Sequence, residues 1–85
     1  MSKDKQTTKN IKLSHKLTTY LIKHPAVSKK LPFDASFIVY TENDEELNKA
    51  NDLLLKDLIE EGKPVVKAKE TNDKNNPWTF SPVSA

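Results

Sequence analysis

At 85 residues the chain fits one domain, and a domain that short buries only about 60% of the surface of its unfolded form, so its core is small and missing stability is expected from a second chain. Cysteine is absent and no apolar run approaches the roughly 18 residues needed to span a bilayer, which excludes disulfides, thiolate chemistry and a membrane partner, and leaves the cytoplasm as the expected location. The net charge of +2 conceals +7 over residues 1–33, −7 over 34–62 and +2 over 63–85, so the chain is divided in charge rather than uniformly basic.

From Asn10 to Lys23 the helical period gathers Ile11, Leu13, Leu17, Tyr20, Leu21 and Ile22 on one broad side and Lys9, Lys12, Lys16 and Lys23 on the other. Thr7 or Thr8 is placed to cap the start, and Pro25 ends the helix by excluding His24 from the α region. Pro25 also suits the first position of a short second helix over Ala26–Lys30, with Pro32 closing it. Phe37-Ile38-Val39-Tyr40, β-branched and aromatic, reads as a strand.

Asn43 or Asp44 is next expected to cap a helix of about four turns, with the acids at its positive end. Leu47, Ala50, Leu54, Leu55, Leu58 and Ile59 share one side, and Gly62, the sole glycine, fits the left-handed position that ends such helices. Val65–Lys69 reads as a second strand. Strand, helix and strand form a βαβ unit, whose crossover makes the strands parallel and the connection right-handed.

The expected fold is thus a small ααβαβ domain over residues 1–70, α/β in class, with the first and third helices covering the sheet. Residues 71–85 read as a flexible linker followed by an aromatic, proline-containing tail. Two parallel strands alone leave too much surface uncovered, so the sheet is to be completed either by Trp78-Thr79-Phe80 as a tail strand or by a second subunit.

Four stretches, Lys9–Ser14, Tyr20–Pro25, Glu45–Asn51 and Glu61–Val66, resemble an uncharacterised family of short prokaryotic proteins, a domain of unknown function, over roughly residues 8–69. The resemblance implies the same element order and a prokaryotic setting. It carries no activity and no site residue, and the tail after Glu70 lies outside it.

The candidate chemistry is sparse. His15 and His24 point to opposite sides of their helix and lack metal-pair spacing. The acids Glu42–Glu46 have neither the alternation nor the glycine of a calcium loop, and Gly62 follows a helix rather than opening one, so no phosphate loop is present. Ser14 and Ser28 have no spacing signature that ties them to a base. No catalytic, metal or cofactor residue is therefore assigned.

Four residues stand out as candidate interface positions. Asn51 falls within the apolar side of the long helix, where a buried amide either bonds within the domain or fixes register in an interface. Leu53 lies on that helix's charged face, and Trp78 and Phe80 are large aromatics in a polar tail. The leading expectation is a non-enzymatic interaction module that associates with itself or with an unknown protein partner. The alternative is a nucleic-acid accessory protein that uses Lys9, Lys12, Lys16 and Lys23 to neutralise phosphates.

Overall fold

The computed structural model describes residues 1–32 and 34–83 and shows a mixed α/β domain. Its elements are α1 (Lys3–Lys23), α2 (Pro25–Ser28), β1 (Ser36–Thr41), α3 (Glu45–Glu60), β2 (Val65–Glu70) and β3 (Trp78–Val83). Phe33, Ser84 and Ala85 lie outside the described residues.

Helix α1 starts earlier than its apolar period suggested, because Ser2 rather than Thr7 or Thr8 accepts from a first-turn amide, Lys5 N–H, at 3.2 Å. Its C-terminus falls at Lys23, as the Pro25 signal required, and Pro25 opens α2. Asp44 caps α3 by accepting from Leu47 N–H at 3.1 Å. At the other end of α3, Gly62 has φ +75°, and Gly62 N–H and Lys63 N–H donate to Ile59 and Leu58 carbonyls, the paired bonds of a Schellman stop.

A Cβ at Gly62 would meet nothing within 4 Å, so only the backbone conformation restricts this position. Gly62→Ala is expected to cost about 1 kcal/mol in urea unfolding, the scale of forcing a side chain into the left-handed region.

The sheet order is β1-β2-β3, with β1 parallel to β2 and β3 antiparallel to β2. The parallel pair matches the βαβ expectation, and of the two completions the tail strand is the one present. Residues 71–77 connect β2 to β3. Thr71 N–H donates to Pro77 O, Thr71 Oγ1 donates to Asn76 O, and Asn75 N–H donates to Asp73 Oδ1, which folds the segment into a tight connection. The longer tail strand, Trp78–Val83, pairs with β2 from end to end.

Both faces of the sheet are covered in part. Leu13 and Leu17 of α1 pack with Val39, Ala68 and Trp78, and Leu47 of α3 joins them. On the other face Leu55 of α3 packs with Ile38, Tyr40 and Val65, flanked by Leu58 and Ile59. The alternation of strand side chains sends odd residues of β1 to one helix and even residues to the other.

The apolar stripes are narrower than the sequence suggested. Ile11 and Ile22 are 65% and 74% exposed and Leu54 is 42% exposed. Packing against a narrow ridge, Leu13–Leu17 on α1 and Leu47–Asn51–Leu55 on α3, leaves the shoulders of each helix in solvent.

Candidate functional site

Whether this domain can pair with another chain depends on how its two sheet edges are finished. Ser36 N–H donates to Pro64 O and Glu42 N–H donates to Glu70 O, which frames the parallel ladder. The backbone groups of Ser36, Ile38 and Tyr40 therefore face β2, while those of Phe37, Val39 and Thr41 face outward.

Helix α3 closes the Val39–Thr41 part of that outward edge with side chains. Asn48 Oδ1 accepts from Thr41 N–H at 3.0 Å, and Asn48 Nδ2 donates to Thr41 O at 2.7 Å. Asn51 Nδ2 donates to Val39 O at 2.8 Å. Two carboxamides one helical turn apart thus stand in for a neighbouring strand. An edge closed in this way is shielded from further strand pairing.

Asn51 is completely buried and uses its whole bonding capacity. Besides Val39 O, its Nδ2 reaches Asn10 Oδ1 at 2.9 Å, and its Oδ1 accepts from Gln6 Nε2 at 3.0 Å and Asn10 Nδ2 at 3.1 Å. Of its two expected roles, the bonding within the domain is the one present. Asn48 was not singled out in the sequence; the available signal was a second asparagine three residues before Asn51 at the margin of an apolar stripe.

The opposite edge, on β3, is finished differently. Thr71 N–H bonds to Pro77 O, so in the antiparallel ladder Pro77, Thr79, Ser81 and Val83 face β2. The backbone groups of Trp78, Phe80 and Pro82 face outward, and among the described residues nothing bonds to them. Pro82 has no N–H, so its ring sits where the missing donor costs the sheet nothing. Beside this edge Tyr20, Val27, Leu31, Trp78 and Phe80 line a groove of about 410 Å³.

The four candidate interface residues separate accordingly. The Asn51 and Trp78 side chains belong to the interior, with Trp78 4% exposed. Phe80 is half-buried in the groove wall, and Leu53 stands 64% exposed on α3. Asn51 is therefore enclosed, while the little of Trp78 that is exposed lies in the groove.

The lysine stripe is partly occupied. Lys9 Nζ donates to Asp44 Oδ2 at 2.6 Å, and Lys16 Nζ lies 3.4 Å from Glu70 Oε2. The Lys9 contact, then the Leu47 N–H bond, holds the Asp44 carboxyl below the ordinary range. Lys12 and Lys23 have no carboxylate within 4 Å among the described residues. Asp44 of the acidic middle block and Glu70 of the last block thus engage two of the four lysines, which reduces the charge available to a polyanion.

Tyr40 donates to Asp52 Oδ1 at 2.8 Å, and Lys67 Nζ sits 4.7 Å from the Tyr40 ring centroid. Burial, reinforced by Asp52, pushes the Tyr40 hydroxyl well above the usual phenol range, which keeps it a neutral donor. His24 stacks beside Tyr20 with ring centroids 4.3 Å apart. Among the described residues no three histidines, cysteines or carboxylates come together around a point where a metal ion could bind. No described helix is long and apolar enough to cross a membrane.

These features define a small mixed α/β domain with the Val39–Thr41 part of one sheet edge closed by asparagines and the other edge open. The chain belongs to a family of unknown function, DUF5647, whose profile matches residues 5–76 of the 85. No curated protein and no solved structure matches it.

Proposed function

We propose that the protein is a non-enzymatic interaction module that pairs with a second copy of itself through the open edge of β3. The observation that carries this reading is the unpaired edge at Trp78, Phe80 and Pro82 beside a groove in which Tyr20, Val27, Leu31 and Phe80 are joined by Lys30, Asn76 and Thr79. The strand Trp78–Val83 contains no charged residue, in a chain where 31% of residues are charged. Charged edge residues are a common device against strand pairing, and their absence here favours contact with an identical edge.

A two-fold axis at Phe80 gives the simplest register. Each Phe80 exchanges backbone bonds with its counterpart, and each Trp78 N–H donates to Pro82 O of the partner subunit. Residues directly opposite in an antiparallel pair share a face. Phe80 of the partner subunit would therefore continue the aromatic wall of the groove, and the interface would be isologous. The same register places Thr79 opposite Ser81 of the partner subunit.

Light scattering on the full chain at high micromolar concentration is expected to give twice the monomer mass. The double variant Thr79→Glu/Ser81→Glu is expected to be monomeric. Within one chain the two glutamates face Lys69 and Lys67 across the ladder and so preserve the fold, but across the axis they oppose each other. A strictly monomeric wild type, or a dimer indifferent to the double variant, overturns the reading.

A further inference from the structure

We infer that the hollow beyond the C-terminal ends of β1 and β2 binds a small organic anion with one negative charge and an apolar body. The hollow, about 320 Å³, lies between α1 and the start of α3. In open α/β sheets, ligands characteristically bind beyond the C-terminal ends of parallel strands. The inference is independent of the self-pairing proposed above, which uses the β3 edge.

The charges around this hollow determine what it can accept. Lys9, Lys12 and Lys16 share one face of α1 and line it together with Asp44 and Glu70. Asp44 is engaged by Lys9 and by Leu47 N–H. Glu70 is engaged by Lys16 and by the Thr41 hydroxyl at 2.9 Å. Thr41 Oγ1 in turn accepts from Asn43 N–H at 3.2 Å. The carboxylates are thus satisfied inside the protein, and among the described residues Lys12 is left as the one cation of the lining without a carboxylate.

The base of the hollow is apolar, formed by Leu13 and Leu47, which are 6% and 2% exposed. A multiply charged anion that pairs with Lys12 would be repelled by Asp44 and Glu70 and would gain nothing from the leucines. One carboxylate on a short hydrocarbon chain pairs with the spare lysine and covers the apolar surface. The rest of the lining is charged or polar, so the two leucines and the methylene stems of the lysines are the apolar surface such a ligand would meet.

The test is an NMR titration of the full chain, with backbone and methyl signals followed, using hexanoate, the neutral hexanamide and inorganic phosphate as separate probes. Hexanoate is expected to shift the Lys12 amide and the Leu13 and Leu47 methyls saturably, with a dissociation constant on the order of millimolar. Lys12→Gln, with its spectrum otherwise unchanged, is expected to weaken binding about five-fold, the scale of one exposed ion pair. Hexanamide and phosphate are expected to bind more weakly than hexanoate. Phosphate binding as tight as hexanoate, shifts scattered over the surface, or Lys12→Gln binding like wild type overturns the inference.

Discussion

Replacing Asn51 with aspartate is expected to cause one of the two largest losses of stability among single substitutions in this fold. The wild-type amide gives both protons, one to Val39 O and one to Asn10, and takes two bonds on its oxygen. A carboxylate has no proton to give, so it would sit buried against the Val39 carbonyl with its charge unpaired, at a cost of several kcal/mol, about 4. Alanine removes the partners of several polar groups and leaves a small void, for about 3 kcal/mol, and leucine fills the void but still orphans the Val39 carbonyl, for about 2 kcal/mol.

Urea unfolding at neutral pH ranks the three variants. The gap between Asn51→Asp and wild type is expected to narrow on acidification, since burial raises a carboxyl pKa and the neutral acid regains a proton to donate. An aspartate variant as stable as wild type would show that the Asn51 network contributes nothing. Gln6 and Asn10 are half-buried, so their alanine variants are expected to lose less, because water can replace part of what they give.

The second large effect concerns the tail. Trp78 is 4% exposed and packs with Leu13, Leu17, Val39, Leu47 and Ala68. Trp78→Ala is expected to cost about 3–5 kcal/mol, a large share of the roughly 5–10 kcal/mol available to a domain of this length. Cutting the chain after Glu70 is more severe. It removes the same tryptophan and also strips β2 of its antiparallel partner, so the backbone groups of Val65, Lys67 and Lys69 lose their ladder.

The truncated chain is expected to show no cooperative thermal transition by circular dichroism, while Trp78→Phe retains one. A fragment ending at Glu70 that unfolds cooperatively near the full-length midpoint would make β3 an accessory rather than part of the core. The family match, which ends at residue 76 just before β3, gives this experiment added weight, because the strand beyond it supplies a core tryptophan.

Much of the architecture was legible from local chemistry. Pro25 stopped one helix and opened the next, Asp44 and Gly62 bracketed the long one, and the β-branched runs became β1 and β2 in the parallel arrangement that their helical crossover required. Each of these signals acts within a few residues of itself, through a missing N–H, a cap or a left-handed φ. The start of α1 was less legible, because the residues before Asn10 carry no apolar period, and the helix there is held by Ser2 and by long-range bonds from Gln6 and Lys9.

The candidate site was the least legible part. Lys9 and Lys16 read as part of a stripe either solvated or partly neutralised by the acidic helix, and the sequence did not say by which residues: their carboxylate partners lie 35 residues away in the case of Asp44, and at the end of another strand in the case of Glu70. Periodicity reports which residues share a face, not what stands opposite that face. Trp78 and Phe80 looked alike in the tail, and only pairing with β2 put both on the wall of one groove, with the first buried in the core and the second half-buried.

The sequence by itself determined the identity and order of the elements and the parallel sense of β1 and β2, because caps, breakers and crossover length are local constraints. The tertiary structure alone decided which sheet edge is open, since that depends on which backbone groups of β1 and β3 face outward and on whether Asn48 and Asn51 reach them. Such a decision is set by register between segments far apart in the chain, and a shift of one residue would reverse it.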